Sequence, residues 1–399
     1  MLHSPLALNQ PRVAVFEPDP DLATNPSLTC LLEALTRKGV QVDVFMPSDD
    51  ARYPTFNSFA TRYPFPKPLS LWSGELRKTL ANWWARMWRF RVDRAFAERA
   101  YDLIVGINSL GLIVGCDYAQ RFNLPLVYMS FEIFFRDELS SFREIREKER
   151  ECIASRLADL VIVQDQWRAQ LLTVENGLAT EKLEYLPVSP SGSKKVAHSD
   201  YLRRRFHLAD SQIIVLHAGS FTDWTYAEEL LESAAHWPKD FTLVIHTRYK
   251  PKTTDRYIRK VGAQKLSNVI LSTDPLPPDS YEQLVASADM GLVLHKPMPP
   301  DRHTQKNIQT IGLSSGKFSY YMKYGIPVIS INQRSYEHLS ADYGFGENIA
   351  SPSEIPKALE RVWSNYDHYR KEAQRLFSER LDFDIHWPRI ASRIWGLMK

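Results

Sequence analysis

Short apolar strands alternate with amphipathic helices from the start of this chain. A strand is predicted at Arg12–Phe16, a helix at Ser27–Lys38 that ends at Gly39, and a second strand at Val40–Met46. Parallel strands need a crossover connection, and a helix between two strands supplies it. This order therefore predicts a parallel, doubly wound α/β sheet with helices on its faces.

The same pattern begins again after residues 187–200, a Pro- and Ser-rich segment that is typical of a linker. Further buried strands are predicted on both sides of it, at Leu103–Ile107, Leu126–Ser130, Leu160–Gln164, Ile213–His217, Thr242–His246, Val269–Leu271, Gly291–Leu294 and Val328–Ile331. A length of 399 residues is sufficient for two such domains. We predict an N-terminal domain over 1–186, a second domain over 201–385, a C-terminal helix over 386–399, and a ligand cleft between the domains at the carboxyl ends of the strands.

Composition narrows the class of protein. The 50 basic and 47 acidic residues give a net charge of +3, which is too small to indicate a nucleic-acid partner. The three cysteines, Cys30, Cys116 and Cys152, form no CxxC pair and are predicted to be free thiols in a reducing compartment. The first residues do not read as a signal peptide, and the longest apolar stretch is too short to span a membrane, so we expect a soluble cytoplasmic protein.

The segment Ser314–Ser330 combines a polar loop, a short helix, a glycine and a buried strand. Ser314 and Ser315 are suited to cap the helix, and Gly325 fits the position just after its end. Three residues at helical spacing are predicted to face the core: Phe318, Tyr321 and Met322. Lys317 lies in the first turn, where the helix dipole and the unpaired N–H groups favour a phosphate or diphosphate. An ordinary capped helix is the alternative interpretation.

The pattern Lys317-Phe318-x-x-Tyr321-Met322-x-x-Gly325-x-Pro327-Val328-Ile329 resembles the donor-binding motif of GT-B fold glycosyltransferases, in the family-four-like retaining group. Segments elsewhere resemble other parts of that family in the same order: Val127–Glu132, Ala158–Val163, Ala218–Ser220 and Ala286–Leu292. The resemblance implies two Rossmann-like, doubly wound domains that face a cleft, and a C-terminal helix that crosses back to the first domain. It also implies transfer of a sugar from a nucleotide-diphosphate donor, with retention of configuration and without a metal ion or other cofactor.

The resemblance implies roles for particular residues. Those expected to act in catalysis are Glu132, Arg248 and Lys317. Those expected to bind the donor are Gly219, Ser220, Arg248, Lys250, Ser314, Ser315, Gly316, Lys317, Phe318 and Tyr320. Glu132 follows a predicted buried strand, where it is suited to bind an acceptor hydroxyl or stabilise charge, or equally to cap the next helix. The expected acceptor is a glycan, a lipid-linked sugar or a small molecule.

The chain departs from the family pattern at several positions. Tyr320 stands where a glutamate usually meets the nucleotide ribose, and Phe131 replaces a histidine of the first-domain motif. The basic residues that usually follow the Gly-Ser turn are absent from Phe221–Glu228, so we expect Arg248 and Lys250 to neutralise the diphosphate with Lys317. These losses favour a second hypothesis, a non-catalytic partner or glycan-binding subunit. A sugar-nucleotide epimerase is a third.

The segment Trp72–Arg99 interleaves arginines with tryptophans. Such a pattern is typical of an interfacial helix on an anionic membrane, which suits a lipid-linked acceptor. The alternative is a first-domain helix with core aromatics and solvated arginines, and single-stranded nucleic acid is a weaker third interpretation.

Overall fold

The computed structural model describes residues 10–17, 24–47, 61–65, 75–192, 198–247, 256–264, 266–296, 305–331 and 334–399. Within these ranges the strands form two separate sheets, one of seven strands and one of six. Every paired strand in both sheets runs parallel to its neighbour. The predicted class, two Rossmann-like α/β units, is confirmed.

The first sheet has the strand order β3-β2-β1-β4-β5-β6-β7. Its strands are β1 Arg12–Phe16, β2 Gln41–Pro47, β3 Thr61–Phe65, β4 Leu103–Ile107, β5 Leu126–Met129, β6 Leu160–Val163 and β7 Leu183–Tyr185. The five residues of β4 are all buried, as expected for a strand covered by helices on both faces.

The second sheet has the order β10-β9-β8-β11-β12-β13. Its strands are β8 Ile213–Ala218, β9 Phe241–His246, β10 Val269–Ser272, β11 Met290–Val293, β12 Val328–Ile331 and β13 Gly346–Ile349. The aspartates of Ala158-Asp159 and Ala288-Asp289 each fix the start of a strand, one in each sheet. Asp159 accepts a hydrogen bond from the Leu126 N–H at 2.9 Å, and Asp289 accepts one from the Ile214 N–H at 2.7 Å.

Helices cover both faces of each sheet. Those of the first half are α1 Pro26–Arg37, α2 Glu75–Glu98, α3 Asn108–Phe122, α4 Phe142–Leu157 and α5 Gln166–Asn176. Those that follow are α6 Tyr201–Phe206, α7 Ala227–Ala234, α8 Arg256–Gln264, α9 Pro278–Val285, α10 Gln305–Gln309, α11 Gly316–Lys323, α12 Arg334–Asp342, α13 Ile355–Ser364, α14 Tyr366–Leu376 and α15 Phe383–Leu397. The structure therefore starts the last helix three residues before the predicted position 386.

The last helix packs on the first sheet although it follows the second in sequence. Phe383, Ile390 and Ile394 lie in one buried cluster with Val13 and Leu28. The chain just after the first sheet contacts the start of this helix, because the Gly192 N–H donates to Asp382 at 2.8 Å and the Ser191 hydroxyl donates to Asp384 at 2.6 Å.

Candidate functional site

The carboxyl ends of β8 and β11 and the start of α11 meet at one edge of the second sheet. His217 lies at the end of β8, His295 just beyond β11, and Lys317 in the first turn of α11. The Lys317 side chain lies against Gly219, with Nζ only 3.5 Å from the position that a Cβ of that glycine would occupy. Gly219 has a φ of +119°, a conformation that other residues rarely adopt. Two segments that the sequence assigned to donor binding are thus brought into contact.

Three buried rings hold α11 in place. Phe318 is fully buried and stacks on Tyr336 with a centroid distance of 4.4 Å. The Tyr321 hydroxyl donates to the Leu216 carbonyl at 2.9 Å and accepts from the Ala218 N–H at 3.2 Å. These bonds fix the helix to the strand β8 that ends beside Gly219. The orientation of Lys317 therefore depends on core packing directly beneath it.

Both histidines near Lys317 are neutral. Burial, with a smaller contribution from the charge of Lys317, lowers the pKa of His217 to about 3. Burial, Lys317 and His217 likewise hold the pKa of His295 well below its ordinary value. His217 Nε2 donates to the Ser220 carbonyl at 2.9 Å, so its Nδ1 carries a lone pair. Lys317 therefore supplies the positive charge among these three side chains.

The serines before α11 do not cap it with their side chains. Ser315 occupies the N-cap position without a side-chain capping bond, and the Ser314 hydroxyl instead donates to the Phe131 carbonyl of the first half at 2.8 Å. Gly316 lies close to the first half as well, since a Cβ there would be 3.2 Å from Val188 Cγ1. The prediction that these serines cap the helix is therefore wrong, because Ser315 makes no capping bond and the Ser314 hydroxyl bonds to the first half instead.

The predicted donor contact of Phe318 is also corrected. Its side chain is completely buried between Tyr336 and Phe345, so it has no surface for a ligand. Tyr320 is half-buried and packs edge to face on Tyr281, with ring centroids 5.3 Å apart. Burial raises the pKa of Tyr320 well above its ordinary value, so its hydroxyl is neutral and differs in charge from the glutamate that it replaces. Arg248 and Lys250 lie outside the described residues.

The first half contributes the loop that follows β5. Asn108 has a φ of +51° and accepts the N–H groups of Phe131 at 2.9 Å and Glu132 at 3.2 Å. The Ser130 hydroxyl donates to the Glu132 carbonyl at 3.1 Å. The backbone of Glu132 is therefore fixed on both sides, while its side chain is half-buried.

Arg168 and Asn307 were not singled out by the sequence reasoning. Arg168 is completely buried, and it contacts both the loop after β5 and the segment before α11. Asn307 accepts the Ile133 N–H at 3.0 Å. Arg168 follows a predicted strand in a polar stretch, where a solvated arginine is the ordinary expectation, so its burial carried no sequence signal.

The described residues contain neither a membrane-spanning helix nor a cluster of metal-ligating side chains. None of the helices there is long and apolar enough to cross a membrane. Nor do His, Cys, Asp and Glu side chains in the same part of the chain form a group of three suited to a metal ion.

Several solved structures share this architecture. HepE from Anabaena, in complex with UDP and glucose, is 17% identical to this chain, with a TM-score of 0.70 over 96% of this chain and 99% of that one. Sucrose-phosphate synthase from Thermosynechococcus elongatus is 16% identical, with a TM-score of 0.69 over 97% and 98% of the two chains. WaaG, a glycosyltransferase involved in lipopolysaccharide biosynthesis, is 17% identical, with a TM-score of 0.65 over 96% and 99%.

These likenesses run over nearly the full length of both partners and confirm the predicted GT-B architecture. At identities of 16–17% they show the fold alone. No protein-family model matches the chain, and no curated protein matches its sequence significantly.

Proposed function

We propose that this protein is a glycosyltransferase that moves a sugar from a nucleotide-diphosphate donor to an acceptor. The observation that carries the proposal is the contact between Lys317 and Gly219 at the carboxyl edge of the second sheet. Ligands of open α/β sheets bind at this edge. HepE, which shares the fold, has been crystallised with UDP-glucose, so a uridine nucleotide is the natural first probe.

The donor diphosphate would lie against the start of α11, between Lys317 and the turn Gly219–Ser220. The first N–H groups of a helix and its dipole favour an anion, and Lys317 adds a full charge. Because His217 and His295 are neutral, Lys317 carries the positive charge among these three side chains. The same charge would stabilise the nucleotide diphosphate as it leaves, and such stabilisation lowers the barrier to transfer.

Glu132 is proposed to act on the acceptor side. Its backbone is held by Asn108 and Ser130, and its loop contacts the Ser314 hydroxyl just before α11. A carboxylate on a loop that contacts the segment before α11 is suited to bind an acceptor hydroxyl or to stabilise developing positive charge. Retention of configuration and independence of metal ions are proposed from the resemblance to family-four-like enzymes. Analysis of the product anomer and turnover in the presence of EDTA test these two points.

The direct test is the affinity for UDP of a Lys317→Met variant, which keeps the apolar stem of the side chain. Loss of a charged contact to the diphosphate costs about 1.5–3 kcal/mol, which is a loss of roughly 10- to 150-fold in affinity. Lys357→Met, at an exposed position of α13, is the matched control and should bind UDP as the wild type does. Equal affinities of the Lys317 variant and the wild type would contradict the proposed site.

Donor turnover separates the three hypotheses. A glycosyltransferase should release UDP from UDP-glucose, slowly with water and faster when its acceptor is supplied. A non-catalytic subunit would bind nucleotide sugar without releasing the nucleotide, and an epimerase would yield an altered sugar nucleotide in the absence of any acceptor. Product analysis by mass spectrometry and NMR distinguishes these outcomes.

We also propose that the exposed side of α2 contacts an anionic membrane, which would bring the enzyme to a lipid-linked acceptor. Phe90 is 62% exposed and Met87 38% exposed, and the neighbouring Arg86, Arg89 and Arg91 are exposed as well. The opposite side supplies core residues, since Val92 and Phe96 are buried, as the alternative interpretation of the Trp72–Arg99 segment predicts. The side chains of Trp72, Trp83 and Trp84 lie outside the part of the chain that the structure describes. An exposed aromatic ring among arginines suits an interface with acidic lipid headgroups.

Sedimentation with vesicles tests the membrane contact. The wild type should bind phosphatidylglycerol vesicles and not phosphatidylcholine vesicles, and Phe90→Ser with Arg89→Ser and Arg91→Ser should bind neither. A triple variant that still sediments with the acidic vesicles would contradict this part of the proposal.

A further inference from the structure

Arg168 joins the two halves of the molecule. From the start of α5 its guanidinium donates to the Phe131 carbonyl of the first half at 2.8 Å. It also donates to the Thr310 carbonyl at 3.0 Å and to the Asn307 side chain at 3.3 Å, both in the second half. One side chain therefore contacts the loop 131–133 and the segment 305–314 at the same time.

The loop and the segment are also joined without Arg168. Asn307 accepts the Ile133 N–H at 3.0 Å, and the Ser314 hydroxyl donates to the same Phe131 carbonyl that Arg168 contacts, at 2.8 Å. Ser314 precedes Lys317 by only three residues. The contacts therefore connect the backbone that carries Glu132 to the start of α11.

The position of the guanidinium is fixed within the first half. Nε donates to Gln164 at 2.7 Å, and Gln164 in turn donates to the Ser130 carbonyl at 2.7 Å. Burial lowers the pKa of Arg168 from its ordinary value, and the carboxylates of Asp165 and Glu132 oppose that shift. A buried guanidinium whose acceptors moved away would leave charged donors unpaired, at a large cost in free energy.

We propose that Arg168 is a positioning residue that couples the loop 131–133 to the segment 305–314, so that a nucleotide bound at α11 also orders the loop that carries Glu132. This inference rests on the proposed function. Arg168 would touch neither donor nor acceptor. Its role is to hold the two sides of the site in one arrangement, and a planar fork of N–H groups that donates to four oxygens is suited to that task.

The test compares the wild type with Arg168→Lys, because lysine keeps the charge but offers a single donor group in place of the fork. Hydrogen exchange is followed by mass spectrometry with and without UDP, at the amides of α11 and of the loop 131–133. In the wild type UDP should slow exchange at both places. In Arg168→Lys it should still slow exchange at α11, while the added protection of the loop is lost.

Kinetics supply a second readout. A displacement of about 1 Å between reacting groups costs on the order of 100-fold in rate, so kcat for release of UDP from UDP-glucose should fall by about that factor in Arg168→Lys, with little change in KM for the donor. A side chain with a purely structural role would lower the melting temperature without separating kcat from KM.

Two further variants keep the test decisive. Asn307→Ala keeps Arg168 but removes the oxygen that accepts both the Ile133 N–H and one N–H of the guanidinium, and should lose the protection of the loop in the same way. Arg150→Lys changes an arginine of α4 that is 58% exposed, and should behave as the wild type. Trp167 stacks on His338 with a centroid distance of 4.9 Å, and none of these substitutions touches that pair, so we expect α5 to stay against α12 in all of them.

The outcomes separate the inference from the proposed function. Absence of protection at α11 in the wild type would overturn the proposed donor site, and the inference with it. Protection at α11 together with equal protection of the loop in wild type, Arg168→Lys and Asn307→Ala would overturn the inference alone.

Discussion

The position of α11 depends on the close contact between Gly291 and the ring of Tyr321, and a Gly291→Ala substitution tests it. A Cβ at position 291 would lie 2.6 Å from Tyr321 Cδ2 and 2.7 Å from Cε2, where 3.4 Å is ordinary contact. The ring must therefore move by close to an ångström. Its hydroxyl then leaves the Leu216 carbonyl and the Ala218 N–H, to which it is bonded at 2.9 and 3.2 Å.

Two costs add in this variant. Forcing an extra methyl group into a packed core costs about 1–3 kcal/mol. Leaving the buried partners of Tyr321 unpaired costs roughly another 1–3 kcal/mol. At about 2–4 °C for each kcal/mol in a unit of this size, the melting temperature should fall by at least about 4 °C.

Differential scanning calorimetry measures that shift, and Gly396→Ala is the matched control. A Cβ at Gly396 would meet nothing within 4 Å, and alanine is the better helix former, so this variant should be as stable as the wild type or slightly more so. In a Tyr321→Ala background, where every clashing atom of the ring is removed, Gly291→Ala should cost much less. A Gly291→Ala protein that melts at the wild-type temperature would show that the contact with Tyr321 does not hold α11 in place.

Two more predictions concern buried side chains of the second half. His217 has a pKa of about 3 in the folded state and an ordinary value of 6.5 in the unfolded state, so only the unfolded chain takes up a proton there between these values. The free energy of unfolding should therefore decline as pH falls from about 6.5 toward 4, and His217→Gln should reduce that decline by about 1.4 kcal/mol per pH unit. Urea unfolding at several pH values measures it, and an unchanged decline would show that His217 is not neutral when folded. Phe318→Ala should lower the free energy of unfolding by about 3–5 kcal/mol, since this ring is fully buried, whereas a loss of UDP affinity without a loss of stability would restore it to the donor site.

The strands that could be predicted are those whose apolar runs are long enough to be covered on both faces. The bounds of β1, β4 and β12 agree with the prediction residue for residue. Three strands at or near sheet edges were missed: β3, β7 and β13. The last of these reads Gly346-Glu347-Asn348-Ile349, in which only Ile349 is buried. Edge strands of this kind are short and partly polar, so hydrophobic patterning does not reveal them.

In the site as well, local spacing predicts some residues correctly and fails for residues whose partners are distant in sequence. The stripe of Phe318, Tyr321 and Met322 was predicted by its spacing and is buried. The Ser314 hydroxyl was assigned to a helix cap because local sequence favours one, but its partner is the Phe131 carbonyl, 183 residues away in sequence. The burial of Arg168 has the same explanation, since three of its acceptors come from two segments that are distant in sequence, the loop 131–133 and the segment 305–314. Hydrogen bonds between residues that are distant in sequence cannot be predicted from the spacing of residues in a single sequence.

The most direct test of the central claim is a crystal structure of the protein with UDP. We expect the diphosphate at the start of α11, with its oxygens within hydrogen-bond distance of Lys317 Nζ and of the first backbone N–H groups of that helix. UDP bound at another edge of the second sheet, or a diphosphate that does not reach Lys317, would contradict it.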